Sequence, residues 1–330
     1  MKPRLVVLDG HTLNPGDLSW SAFEDGVTLE LHARSGDATV ERAKGATLVL
    51  TNKEYLNRAR LEQLPDLRYI GVLATGVNVV DLEAARERGI AVTNVPGYGA
   101  ASVAQHVFAL LLELSNRSYQ HSIAARQGHW ASCPDFCFTL ASLPELEGKQ
   151  LGIVGLGAIG ARVARIATAL GLRVAVADTQ QSRPEVPGVD LRWLGLDELF
   201  ETSHVVSLHC PLTPETRDLV DTKRLELMRP GAFLINSGRG HLLDEAALLG
   251  ALERGDLGGA ALDVLRKEPP PADHPLIAYA ARAGDDARKT PLIITPHIAW
   301  ATREARARLM DIAARNLKAF LRGERLNRVD

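Results

Sequence analysis

The sequence predicts an α/β protein built from two doubly wound parallel sheets, and three observations carry that prediction. Short apolar runs alternate with helical patterns along nearly the whole chain, as in parallel sheets covered on both faces. One stretch, residues 150–178, reads as strand, glycine-rich turn, helix, strand and terminal acid. The chain has 330 residues, 46% hydrophobic and 24% charged, which suits a globular protein with room for two cores. Its formal net charge of -2 gives no global attraction to nucleic acid or to an anionic membrane.

Taken in order, residues 4–8, 27–31, 46–50, 68–73 and 90–93 read as strands, with helices near 37–43, 55–63 and 81–88. Lys2 and Arg4 precede an apolar run that Asp9 stops too early for a signal-peptide core, so the run is a first strand. Ligands of such sheets gather at the carboxyl ends of strands, where two loops fall: Thr51-Asn52-Lys53 and Ala74-Thr75-Gly76-Val77-Asn78. The second either offers backbone N–H groups to an anion or is an ordinary glycine turn. After a breaker-rich segment at 94–99, the helix at 102–114 is apolar almost all round and therefore buried. It is either a spine joining two domains or a face of a dimer. With Gln105 and His106 inside it, it is too short and too polar for a membrane span.

In the 150–178 stretch, a strand at 151–154 leads to Gly155, Gly157 and Gly160. A helix follows with Ile159, Val163, Ile166 and Leu170 on one face, then a strand at 172–177 and Asp178. One glycine makes the tight turn, the next admits a pyrophosphate to the backbone, and the third lets helix pack on strand. The helix start at Ala158 and Ile159 turns free N–H groups toward the phosphates. Alone the glycine spacing is weak; in this order it is a Rossmann dinucleotide unit. Asp178 would bind ribose hydroxyls and repel a 2′-phosphate, favouring NAD over NADP, while Arg183 keeps NADP as the minority reading.

The rhythm resumes with strands at 205–208, 232–235, 260–262 and 292–294 and helices near 197–201, 221–227 and 245–254, the plan of a six-strand sheet. Residues 268–275 and 278–289 read as surface loop. Residues 302–321 form a closing amphipathic helix with Ala305, Leu309, Ile312, Ala313, Leu317 and Phe320 on one face. Its arginines are interrupted by Glu304 and Asp311, so they read as a solvated face rather than a nucleic-acid or membrane surface.

Cys133, Cys137 and Cys210 are sparse and odd in number, which suits a reducing cytoplasm. His129, Cys133 and Cys137 share a spacing of four, but Pro134 argues against the helix that would align them, so no metal is expected. Arg239, Glu268 and His297 each stand at or just beyond a strand end in the second half. An arginine fork holds a carboxylate and polarises a neighbouring carbonyl. A histidine moves protons near neutrality, and a carboxylate bonded to it stabilises its charged form. Taken singly, each is as well explained by a surface arginine, a solvated acid or a core histidine. Jointly, beside a dinucleotide fold, they are the parts for hydride transfer to a 2-oxo acid. The sequence lacks G-x-S-x-G, H-E-x-x-H and G-x-x-x-x-G-K-[ST] patterns, so hydrolase, zincin and P-loop readings lapse.

With these residues in view, nearly the whole chain resembles the D-isomer-specific 2-hydroxyacid dehydrogenases, most of all the bacterial glycerate dehydrogenases that act as hydroxypyruvate reductases. Further matching stretches are Ser102-Val103-Ala104-Gln105, His209-Cys210-Pro211-Leu212-Thr213, Asn236 to Gly240, Ala261-Leu262-Asp263-Val264 and Thr295-Pro296-His297-Ile298-Ala299. The resemblance implies that Arg239 binds substrate, His297 is the general acid/base and Glu268 sets its pKa. It implies substrate contacts from Asn52, Lys53, Thr75, Gly76 and Asn78. It also implies that Asp263 holds the nicotinamide carboxamide near Ser237 and Gly238, and that His209, Cys210, Pro211 and Thr216 line the adenine and phosphate side. The implied architecture is a discontinuous, flavodoxin-like substrate domain (1–98 and 300–330), an NAD-binding Rossmann domain (99–299), closure of the two, and a homodimer. Trp130, Phe136 and Cys137 match the glycerate dehydrogenase subgroup in type and are expected near the substrate mouth, from the partner subunit. His241 and the length of 278–289 depart from the pattern. The expected activity is NADH-dependent reduction of hydroxypyruvate to D-glycerate. Glyoxylate reduction and phosphoglycerate or phosphite dehydrogenation are alternatives, as is an NAD-sensing corepressor.

Overall fold

The computed structural model describes residues 2–178, 183–285 and 289–330, and their strands divide between two wholly parallel sheets, one in each of two units. Unit one comprises Met1–Gly99 with Trp300–Asp330, and unit two Ala100–Ala299.

Unit one starts with β1 (Arg4–Val7), a helical turn α1 (Gly10–Leu13), β2 (Thr28–Leu31), α2 (Thr39–Ala43) and β3 (Leu48–Thr51). It continues through α3 (Arg58–Glu62), β4 (Tyr69–Val72), α4 (Leu82–Glu87) and β5 (Ala91–Thr93). The order β2-β1-β3-β4-β5 is the flavodoxin-like one. Central strands β3 and β4 are buried at every position and, Thr51 apart, lack a short polar side chain, as expected where both faces are covered. Asn57 and Asp81 cap α3 and α4 by accepting the N–H of Arg60 and Ala84.

Unit two begins with α5 (Ala100–Asn116) and α6 (Ser118–Arg126), followed by β6 (Gln150–Val154), α7 (Ala158–Ala169), β7 (Arg173–Ala177) and β8 (Leu191–Trp193). Next come α8 (Leu196–Thr202), β9 (Val205–Leu208), α9 (Thr222–Leu227), β10 (Phe233–Asn236) and α10 (Glu245–Arg254). The unit closes with β11 (Gly259–Leu262), α11 (Pro275–Asp285) and β12 (Leu292–Ile294). The strand order β12-β11-β10-β9-β6-β7-β8 is doubly wound, with the chain reversing direction across the sheet between β6 and β9. One face packs Val107, Leu111, Val163 and Ala167 from α5 and α7; the other packs Leu199, Leu225, Leu248 and Leu276 from α8 to α11.

The chain then returns to unit one as α12 (Arg303–Leu321), capped by Thr302, whose hydroxyl accepts the Ala305 N–H. Ala305, Leu309, Ala313 and Leu317 are buried in one cluster with Leu5, Leu48 and Tyr69 of the sheet, and the Tyr69 and Phe320 rings stand 4.8 Å apart. The opposite face of that sheet is covered by Ala43, Leu61, Ala84 and Ala85.

Two expectations are corrected and one element is added. The second sheet has seven strands rather than six, because the three-residue β8 pairs with β7 at its edge. Residues 275–285, in large part expected as loop, form α11, with Pro275 at its first position, where a missing N–H costs nothing. Leu276, Tyr279 and Ala283 supply its buried face; residues 286–288 of the expected loop lie outside the described residues. Helix α6, which the sequence did not suggest, follows Arg117, whose φ of 46° turns the chain sharply out of α5.

Candidate active site

All strands of the second sheet being parallel, their carboxyl ends share one edge, and every predicted site residue of unit two lies just beyond it. At β6 the three glycines have separate steric duties. Gly155 has a φ of 95°, and a Cβ there would stand 2.6 Å from the Cys210 nitrogen. A Cβ on Gly160 would meet the Gly155 carbonyl oxygen at 2.3 Å, so close approach of α7 to the turn requires glycine. Gly157, at the N-cap of α7, has nothing within 4 Å of a built Cβ. Open space over the free N–H groups of Ala158 and Ile159 is what a phosphate needs.

Asp178 closes β7, with its carboxylate accepting the Leu156 N–H at 2.5 Å, so the acid and the glycine turn are fixed to each other. The turn is also tied to the end of β9, where the His209 N–H donates to the Val154 carbonyl. The His209 ring nitrogen Nε2 lies 2.9 Å from the Ser207 hydroxyl, and burial pushes the imidazole pKa down to about 4. Burial, aided by the nearby Asp178 carboxylate, pushes the Cys210 thiol up to about 11. Thr216 closes this loop by donating its hydroxyl to the Pro211 carbonyl at 2.7 Å.

The ends of β10, β11 and β12 are neighbours in register, Asn236 beside Leu262 and Leu262 beside Ile294. Beyond β10, buried Asn236 shapes the turn by accepting the Gly238 N–H and donating to the Arg239 carbonyl. Arg239 is exposed and its Nη1 donates to the Gly238 carbonyl. A Cβ at Gly240 would lie 2.0 Å from the Leu265 carbonyl carbon, so glycine lets the Arg239 loop press on the backbone leading to Glu268. Glu268 accepts the Leu265 N–H with one oxygen and meets His297 Nδ1 with the other at 2.6 Å. His297 itself sits at φ 55°, a left-handed conformation that costs a side-chain-bearing residue about 1–3 kcal/mol and marks a place where surrounding structure imposes geometry.

That geometry is imposed largely by Asp263, whose side chain is 0% exposed. Its carboxylate accepts the Thr295 hydroxyl at 2.6 Å and the N–H groups of Ile298 and Ala299 at 2.9 and 2.8 Å. Its backbone carbonyl accepts the His297 N–H at 2.8 Å. Burial pushes the Asp263 pKa up, but these donors and His106 outweigh it and hold the carboxyl below its ordinary value. The carboxylate expected to hold a carboxamide thus faces the interior as the anchor of the His297 loop.

Ser237, by contrast, keeps a buried hydroxyl oxygen without any partner, a group a bound ligand can satisfy. The open glycine cradle and this orphaned hydroxyl fit a dinucleotide. In unit one, Thr75 and Asn78 are exposed and Gly76 half-buried, with the Thr75 hydroxyl donating to the Val95 carbonyl. Lys53 is exposed, whereas Asn52 is buried and donates its amide to the Leu73 carbonyl at 2.6 Å. Cys133, Cys137 and Cys210 are free thiols, and no cluster of three metal-ligating side chains occurs among the described residues. Trp130 and Phe136 are 57% and 89% exposed, joined by a bond from the Trp130 indole N–H to the Phe136 carbonyl.

A Rossmann sheet whose adjacent strand ends carry an arginine, a glutamate and a histidine defines a class of dehydrogenase, and the family model for the NAD-binding domain of D-isomer specific 2-hydroxyacid dehydrogenases matches residues 108–299. The chain belongs to that family and is an NAD-dependent oxidoreductase acting on small 2-hydroxy acids. Among its relatives, the hydroxypyruvate reductase of Blautia hydrogenotrophica is 42% identical over 99% of both chains. The glycerate dehydrogenase of Methylorubrum extorquens is 39% identical over 88% of both. A Thermus thermophilus protein of known crystal structure superposes with a TM-score of 0.83 at 37% identity, covering 99% of this chain and 100% of its own.

Proposed function

We propose that the protein reduces hydroxypyruvate to D-glycerate with NADH, reversibly, and takes glyoxylate as a second 2-oxo acid. The observation that carries the reading is the Glu268–His297 contact of 2.6 Å on the loops beside that of Arg239. In this reading the Arg239 guanidinium holds the substrate carboxylate through two parallel hydrogen bonds and polarises the C2 carbonyl. With Nδ1 bound to Glu268, Nε2 of His297 is the nitrogen that gives a proton to the oxygen as negative charge develops there. Glu268 keeps the ring in one orientation through that exchange and stabilises the imidazolium. The nicotinamide, when bound, supplies the hydride. Gly155, Gly157, Ala158, Ile159 and Gly160 take its pyrophosphate, Asp178 the adenosine ribose, and His209, Cys210, Pro211, Thr216, Ser237 and Gly238 line the remainder, with Asp263 acting on the nicotinamide end through the His297 loop it anchors. Lys53, Thr75, Gly76 and Asn78 contact the substrate, and Asn52 supports them from beneath.

The relatives' names support the substrate, and the ribose-binding acid at position 178 supports NADH over NADPH. The free thiols support a reducing cytoplasmic setting, and the exposed Tyr119, Trp130 and Phe136 support a homodimer, which sedimentation analysis would register as twice the 35.7 kDa chain mass.

The test is NADH oxidation with a panel of 2-oxo acids, repeated with NADPH. Hydroxypyruvate should give the highest kcat/KM. His297→Asn should lower kcat by about 10²-fold or more while NADH still binds. Arg239→Lys should lose the bidentate clamp and raise KM as well as lower kcat. Unchanged turnover in either variant would sink the assignment.

A further inference from the structure

We propose that His106, on a helix far away in sequence, is a positioning residue for this reaction, holding the His297 loop in its working conformation through Thr295 and Asp263. The proposal rests on His297 being the acid/base group.

Ser102 and His106 lie one turn apart on α5 and therefore on one face of it. Both reach the segment that carries His297. The Ser102 hydroxyl donates to the Ala299 carbonyl at 2.5 Å, and His106 Nε2 lies 3.0 Å from the Thr295 hydroxyl and 3.4 Å from Asp263 Oδ1. Proton bookkeeping settles the direction of this chain. An ionised carboxylate only accepts, so the Thr295 hydroxyl spends its hydrogen on Asp263, 2.6 Å away. The hydroxyl oxygen is then left to accept, and His106 must supply the hydrogen from Nε2. The order is His106 N–H to Thr295 O–H to Asp263, with Ile298 and Ala299 completing the carboxylate's shell.

The segment from Thr295 to Ala299 is thus tied at both ends to α5 and in the middle to Asp263, and His297 occupies that middle with its left-handed φ of 55°. Glu268 meets the ring at Nδ1. Removing the His106 donor leaves the Thr295 hydroxyl held by Asp263 alone and Asp263 under-compensated in a fully buried position, and the loop relaxes away from the strained backbone. The reacting nitrogen moves with it, and misplacement by an ångström costs a proton transfer far more than it costs binding.

The expected result for His106→Ala is a kcat lowered by about 10-fold or more, with substrate KM and the NADH dissociation constant within about two-fold of the parent. His106→Gln, which returns an N–H at similar reach, should recover most of the loss. Hydrogen exchange of a peptide spanning 293–302 should rise in His106→Ala and not in His106→Gln. Thr295→Val, which breaks the chain without touching α5, should reproduce the kcat loss, and it carries the test should His106→Ala fail to fold. Wild-type kcat in His106→Ala or Thr295→Val, or equal losses in the Ala and Gln variants, overturns the proposal. The control separates the two readings: inactive His297→Asn alongside active His106→Ala refutes only the positioning role, whereas active His297→Asn removes the catalytic reading and this proposal together.

Discussion

Asp178 shows how one side chain can be committed twice. Its carboxylate already orders the glycine turn through Leu156, and the cofactor reading asks it also to meet a ribose. Asp178→Ser should therefore raise the kcat/KM ratio of NADPH to NADH by about 10-fold or more, since a carboxylate beside a 2′-phosphate is repulsive. It should also weaken both cofactors somewhat by loosening the turn; an unchanged ratio in steady-state assays would refute the assignment. His209 gives a prediction about pH. Its folded pKa of about 4 lies below the ordinary 6.5, so the unfolded chain takes up a proton that the folded one refuses. The stability this confers is complete above pH 6.5 and is lost as pH falls from there toward 4, by about 3 kcal/mol in all. Urea midpoints at pH 7 and pH 5 should separate less in His209→Gln than in the parent. At this scale the sequence reads well where a motif is local. Gly155 to Gly160 announces itself in six residues. His106 does not, because its meaning lies in a contact with Thr295, 189 positions away, and an isolated histidine in an apolar helix looks like ordinary interior.

Elements were legible in proportion to how much apolar surface they bury. Strands such as β4 and β9, buried along their whole length, stand out as largely apolar runs, with Ser207 the one polar interruption in β9. Edge strand β8, with its Leu-Arg-Trp sequence half exposed, has neither a run nor an alternation long enough to read. Helix α11 was hidden by the prolines before it and the charged residues after it, and only its buried face reveals it. Leu309 is the test of α12: with 0% exposure against the first sheet, Leu309→Ala should cost about 2–5 kcal/mol, measurable as a lowered denaturation midpoint. Gly155→Ala should do its damage differently. A methyl group at φ 95°, 2.6 Å from the Cys210 amide, forces the turn to shift, so NADH affinity should fall at least 10-fold in a fluorescence titration while the sheet persists.

At the level of the whole molecule, the alternation of strands and helices carried the fold class, while the strand orders differ between the two units and are not set by alternation alone. The return of residues 300–330 to the first unit was legible only through resemblance, since amphipathic periodicity says that a face is buried and not against what. A chain ending before Arg303 should keep unit two folded while unit one exposes the apolar face that α12 covers. Binding of a dye for apolar surface, absent from the parent, would mark that state; its absence would mean the first sheet closes without the helix.

The same division has a consequence for how the protein is made. Emerging from the ribosome, the first five strands have to wait for the whole of unit two before α12 and the Asp330 carboxylate, which accepts the Val92 N–H, can reach them. At about 5–20 residues per second, that is an interval of about 10–40 seconds with one side of a sheet uncovered. The domain translated first is thus the last to be finished, and a chaperone that shields apolar surface has a defined moment and a defined face on which to act.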